Sequence, residues 1–214
     1  MKKEDILKAA KELFSVYGYK KVSMNEIAEK ANVTKKTIYS YFKDKEDLFK
    51  QILSNEMENM KTIIEKNEKK DIPYFERIHY AIYELTKYKN ENKFLLRVVK
   101  DSEIINNIHA KESLKIFDNT VIEYIKEKLK NAIENKQIKK CNVDIAAFVI
   151  YKVYIALMYE WSDENKPLNE QEVADNITAI LKTGIFNKAP DPHPWGNKSK
   201  IIWMAMPKEK EAIT

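Results

Sequence analysis

The sequence predicts an all-α protein, and three observations carry that expectation. Only three glycines occur in 214 residues, too few for a Gly-loop nucleotide-binding fold or the turns of a strand-rich one. Lys, Glu, Leu, Ile and Ala are abundant, a composition that favours helices joined by short turns. Apolar residues recur at three- and four-residue spacing along most of the chain. Hydrophobic residues make up 44% and charged residues 33%, so a sizeable core lies under a strongly charged surface. The length suits one large domain or a small head on a larger body.

The first helix is read from Ile6, Ala9, Ala10, Leu13, Phe14 and Tyr17, which form one stripe, and Gly18 ends it as a left-handed cap. Ser23 opens the second, because Ser23 and Glu26 make a capping box ahead of Ile27, Ala28 and Ala31. Asn32 tolerates the left-handed backbone that a sharp turn requires. Thr34 then caps a third helix, with Val33 and Ile38 spaced as a hydrophobic staple. Two short helices around a tight turn make a helix-turn-helix unit.

Asp44 and Asp47 start a long fourth helix with apolar positions Leu48, Phe49, Ile52, Leu53, Met57, Met60, Ile63 and Ile64. At 1.5 Å per residue it would run roughly 35 Å and join head to body. Pro73 begins the next helix, with Phe75, Ile78, Ile82 and Leu85 inward. Phe94 to Ile108 is less regular, and Leu114, Phe117, Val121, Ile125, Leu129 and Ala132 mark a clearer helix. Between Asp144 and Glu160 the only charge is Lys152. A helix apolar all round must be covered on every side. Paired with the helix of Val173, Ile177, Ile180, Leu181 and Ile185, it predicts either a four-helix dimer interface or the central core helix of a monomer. The expected interface residues are Ile150, Val153, Leu157, Val173, Ile177, Ile180 and Leu181. The resulting organisation is a helix-turn-helix head over 1–47, a helical body with the expected dimer interface over 48–187, and a Pro-containing extension of unassigned role over 188–214.

The formal net charge is +5, and residues 1–50 hold twelve lysines against eight acids. A basic excess concentrated in the head points to an anionic polymer as partner. Cys141 is the single cysteine, no apolar run approaches membrane-spanning length, and Met1 is followed by charge rather than a signal-peptide core. A cytoplasmic protein, without membrane attachment, is expected.

On a helical wheel Ile38 and Phe42 face the core, while Lys36 and Ser40 lie opposite, with Thr37 and Tyr39 flanking and Lys35 at the tip. Lysines at a helix start oppose its dipole by some tenths of a kcal/mol each, a cost that makes sense where an anion sits. The major groove admits such a helix, lysine can donate to guanine O6 and N7, and hydroxyls can bond bases or phosphates. Tyr39 and Tyr41 lie at the margins, where each could reach DNA or roof the small core.

The stretch YGYKKVSMNEIAEKANVTKKTIYSYFKDKEDLF resembles the TetR family of bacterial transcriptional regulators. It matches the family pattern through Gly18, Ser23, Ile27, Ala28, Ala31, Val33, Thr37, Tyr39, Phe42, Lys45, Glu46 and Leu48, and departs at Asn32 and Lys36, where glycine is common. The resemblance implies a dimeric DNA-binding repressor, or less often an activator, released from a palindromic operator by a small molecule held in the body. Carried over by position, Asn25, Lys35, Lys36 and Tyr39 are candidate base contacts, and Ser23, Thr37, Tyr41 and Lys45 candidate phosphate contacts. Thr34 and Ser40 complete the DNA-binding set.

Aromatic residues and methionine crowd the body, which predicts a lipophilic or aromatic effector recruited from Tyr83, Phe94, Arg97, Phe117, Tyr124, Tyr154, Met158 and Trp161. Arg97 suits an anionic ligand and Glu160 a cationic one, so its charge stays open. His79, His109 and His193 are scattered and Cys141 has no partner motif, so no metal, cofactor or enzymatic activity is expected. The competing reading is a helical dimeric protein-interaction module whose head binds DNA weakly or not at all.

Overall fold

A computed structural model describes residues 2–102 and 108–184, and its elements are helices throughout. Helix α1 (Lys2–Tyr17) stops where Gly18 turns left-handed at φ 79°, with the Gly18 N–H donating to the Phe14 carbonyl at 3.0 Å. Helix α2 (Met24–Lys30) starts at the expected capping box. Glu26 N–H donates to Ser23 Oγ at 3.3 Å, and Ser23 N–H donates to Glu26 Oε2 at 2.7 Å. Asn32 makes the turn at φ 52°. Thr34 Oγ1 then accepts from Thr37 N–H at 3.1 Å to start α3 (Lys35–Tyr39). Asp44 caps α4 (Lys45–Glu68) by accepting from Asp47 N–H at 2.8 Å. Its 24 residues span about 36 Å.

The body continues with α5 (Tyr74–Glu91), entered through Pro73, α6 (Lys93–Ser102) and α7 (Ile108–Glu134). Helix α8 (Val143–Ile155) is capped by Asn142 and widens into a π-helical turn (Ala156–Glu160). A short α9 (Trp161–Glu164) follows, and then α10 (Glu170–Gly184). No helix among the described residues is long and apolar enough to cross a membrane.

One apolar cluster gathers Ile6, Phe14, Val22, Ile27, Ile38, Phe42 and Phe49 from the first four helices and their loops with Phe94, Leu95, Val98 and Ala110 from α6 and α7. The Phe49 ring centroid lies 5.9 Å from Phe14 and 5.9 Å from Phe94, edge-on to both, an arrangement worth about 0.5–1.5 kcal/mol per pair beyond burial. Two smaller clusters follow: Leu129, Ala132, Ile138 and Ala147 between α7 and α8, then Met158, Val173 and Ile177 with half-buried Ile82, Val153 and Leu157.

Two expectations need correction. On α5, Phe75, Ile78, Ile82 and Leu85 are only half-buried, while Ala81, Thr86 and Lys89 are covered. Thr86 satisfies its hydroxyl on the Ile82 carbonyl (2.8 Å), and the Lys89 ammonium donates to the Met158 carbonyl (3.0 Å) in the π turn. The expected interface face also changes. Val173 and Ile177 are 0% and 2% exposed inside their own chain, and Ile150, Val153, Leu157 and Leu181 are half-buried against its clusters. Ile180 remains exposed, and the outward apolar residues of α8 are Ile145, Phe148 and Val149. The nearly uniform apolar run of α8 carries no phase from which to tell inward from outward, whereas the apolar stripe of α10 is taken up by α5 of the same chain. Ile185 and the extension over 188–214 lie outside the described residues.

Candidate nucleic-acid interface

Helix α3 owes its orientation to Ile38, which is 0% exposed, and to buried Phe42 just beyond its end. With these two anchored, Lys35, Lys36 and Ser40 are turned to solvent, Thr37 is half-buried, and Tyr39 and Tyr41 are exposed at the margin. Three side chains are held in place locally. The Thr34 and Thr37 hydroxyl oxygens are 2.9 Å apart, and Ser40 Oγ donates to the Thr37 carbonyl at 2.7 Å. Lys35 Nζ lies 5.9 Å from the Tyr39 ring centroid, within the range of a cation–π contact. Asn25 is exposed in the first turn of α2, the helix before the turn. The outcome is a short, firmly seated helix with two exposed lysines in its first turn and hydroxyls beside them, the donor set that a groove edge can use.

Ser23 and Lys45, both expected at phosphates, are instead engaged inside the chain. Ser23 Oγ gives its one hydrogen to Glu26 Oε2 at 2.6 Å, so it has none left for an external oxygen. Those bonds from Ser23 hold the Glu26 carboxyl below the usual glutamate range. Lys45 Nζ donates to the carbonyls of Tyr19 and Val22 at 2.9 and 2.8 Å and lies 4.5 Å from the Tyr19 ring centroid. Burial pushes the Lys45 ammonium below the ordinary lysine range, against a smaller opposite pull from Glu26, and burial raises the Tyr19 phenol to about 12.

The eight expected effector residues are not gathered into one site. Phe94 is enclosed in the cluster shared by head and body, Tyr154 and Met158 belong to the α10 cluster, and Tyr83 and Arg97 are half-buried on α5 and α6. Trp161 is exposed, its indole N–H donating to the Lys166 carbonyl at 3.1 Å. An open cleft of about 280 Å³ does lie between α4 and α7, with Leu53, Met57, Ile116 and Phe117 supplying its apolar lining and Lys50 and Lys61 its cations. A second hollow of about 360 Å³ adjoins it through Lys61 and Thr120 and includes Tyr124. Only Phe117 and Tyr124 of the expected set line these hollows.

Reading the sequence also missed Glu56, a carboxylate only 2% exposed, paired at 2.6 Å with Lys11 Nζ. The signal was present: position 56 falls in the inward stripe of Phe49, Ile52, Leu53 and Met57, where a charged residue is out of place unless paired.

Residues 6–52 match the family described as bacterial regulatory proteins, tetR family. The HTH-type transcriptional regulator YhgD of Bacillus subtilis is 29% identical over 184 residues, covering 86% of this chain and 96% of that protein. An HTH-type transcriptional regulator of Haemophilus influenzae is 30% identical over 188 residues, covering 88% of this chain and 87% of its own length. Among solved structures, a candidate fatty acid metabolism regulator of Clostridium perfringens superposes with a TM-score of 0.64 at 28% identity, over 86% of this chain and 100% of that one. Likeness over nearly the whole length, together with the capped head and its matched motif, identifies the chain as a helix-turn-helix transcriptional regulator that belongs to the TetR family.

Proposed function

We propose that this regulator works as a homodimeric repressor on a palindromic operator and leaves it when a small lipophilic effector occupies the body. The observation that carries the reading is the contrast within α3: Ile38 is wholly enclosed, while Lys36 on the opposite side and Lys35 at the helix start are exposed. Asn25, Lys35, Lys36 and Tyr39 are the proposed base contacts. Thr37 and Tyr41 reach phosphates, while Thr34 caps the start of α3 and Ser40 closes on the Thr37 carbonyl at its end. In a dimer the two copies of α3 must lie about 34–36 Å apart to enter successive major grooves.

Dimerisation is supported by α8, where Ile145, Phe148 and Val149 stand exposed on a helix whose charged residues are Asp144 and Lys152, with Ile180 exposed on α10. A face of this kind is what a second copy would cover. The effector reading is supported by the α4/α7 cleft. Its volume is near the lower end of ligand pockets, about 300 Å³, and its lining joins aliphatic and aromatic side chains to lysines. The related Clostridium protein, described as concerned with fatty acid metabolism, is consistent with an acyl-type ligand. An effector that binds one arrangement of α4 and α7 better than another shifts the head's position by that difference in affinity.

The deciding experiment is selection of bound fragments from a random duplex pool, followed by titration of the winning duplex against salt. Recovery of one palindrome, with affinity that falls steeply as salt rises, is the expected result. Uniformly weak binding to every duplex would instead favour a protein-interaction module.

A further inference from the structure

A buried and heavily engaged carboxylate lies away from the groove-facing surface. Glu56 sits midway along α4 and is 2% exposed. Its Oε1 pairs with Lys11 Nζ on α1 at 2.6 Å. Its Oε2 accepts from the Tyr88 hydroxyl on α5 at 2.7 Å and from Asn92 Nδ2 at the joint between α5 and α6. The network continues outward: Asn59 Nδ2 donates to the Tyr88 oxygen at 3.0 Å, and Asn92 Oδ1 accepts from Leu95 N–H at 3.3 Å in the first turn of α6. One carboxylate thus ties α1 of the head to α4, α5 and the start of α6.

Stability alone gives little reason to bury a charge here. Desolvation offsets most of the attraction in a buried ion pair, and apolar residues of similar volume do as well or better. A hydrogen-bonded carboxylate adds direction. The apolar contacts of the same joint, Phe49 against Phe94 among them, are non-directional and permit small rotations, whereas bonds near 2.6–2.7 Å weaken steeply when misaligned.

We propose that Glu56, acting through Lys11, is the positioning residue that sets the angle of the head on the body, and so the spacing between half-sites that the dimer accepts. The proposal rests on the DNA-binding reading above. Adding one base pair between half-sites moves the second by about 3.4 Å and turns it by about 34°. Only a head held at a fixed angle strongly rejects such a change.

The test uses the full chain and the duplex that wild type selects from a random pool, remade with one base pair inserted or removed between its half-sites. Lys11→Met cuts the head's bond to Glu56 and leaves Tyr88 and Asn92 in place. Wild type is expected to lose about tenfold or more in affinity on either altered spacer, a size within the range of allosteric coupling, and Lys11→Met less than about threefold. Base preferences inside each half-site stay as they were. A purely structural role would weaken binding to all spacers by one common factor, following the folded fraction, and that result overturns the proposal, as does an unchanged spacer preference. Lys11→Met leaves a buried carboxylate without its cation. Should that variant not fold, Lys11→Met with Glu56→Gln removes both charges and carries the same comparison. A wild type that selects no duplex overturns the DNA-binding reading and this proposal together; one that selects a duplex, with a variant just as strict about spacing, overturns this proposal alone.

Discussion

The ammonium of Lys45 lies 2.8 Å from the carbonyl oxygen of Val22 and 2.9 Å from that of Tyr19, so the first residue of α4 holds the loop between α1 and α2. Removing it strands two acceptors in a half-buried place, at a cost of about 1–3 kcal/mol for a buried group left without its partner. Lys45→Met is expected to lower the thermal midpoint while leaving base preference intact. A variant equally stable but with a shallower salt dependence would return Lys45 to the phosphate backbone.

Lys36 stands exposed on the side of α3 opposite Ile38. If it donates to a base edge, Lys36→Ala changes the preference at one base pair by about 1–3 kcal/mol, measured by competition among operator variants. A loss shared equally by all sequences would show that it touches only phosphate. Lys35, closer to the helix start and near the Tyr39 ring, is expected to shift preference at a neighbouring base pair when changed to alanine.

Phe148 and Ile177 separate the surface of the body from its core. Phe148 is 51% exposed and Ile177 2%, so Phe148→Glu should leave the subunit folded and make it monomeric by sedimentation, with weak operator binding. Ile177→Ala should instead destabilise the subunit by about 2–5 kcal/mol in denaturant unfolding. A Phe148→Glu protein that sediments as a dimer would remove α8 from the proposed interface.

Glu26 links the start of α2 to acidity. Its carboxylate accepts from both the backbone and the hydroxyl of Ser23, which depresses its folded-state pKa. A carboxyl depressed in this way contributes stability above its unfolded value of about 4.3, and that contribution is lost as pH falls through the lower folded value. Comparing wild type with Glu26→Gln by denaturant unfolding from neutral to acid pH, the wild-type advantage is expected to shrink as the carboxylate protonates. A difference that stays constant with pH would show that the charge of Glu26 contributes nothing to the cap.

Much of the head was legible because its signals are local. Ser23, Thr34 and Asp44 each cap the helix that follows within three residues, Gly18 and Asn32 take positive φ, and Ile38 fixes the facing of α3. The body was less legible. Phe148 and Val153 look alike in sequence, yet one is exposed and the other packs inward, and only neighbours remote in sequence decide which. Lys45 reads as a surface cation until the carbonyls of a loop more than twenty residues earlier are brought to it. Glu56 was within reach of periodicity, but its partners on α1, α5 and the α6 joint come from long-range packing.

The ring of Phe49, set between Phe14 and Phe94, bears on how such a protein could be recombined. Residues 2–47 transplanted onto a foreign body would arrive without the aromatic and aliphatic side chains of α6 and α7 that seal them. The fragment would carry a greasy seam in place of a finished surface. A hybrid with altered operator choice would therefore keep those sealing side chains with the graft, or exchange the side chains of α3 alone and leave the seam unopened.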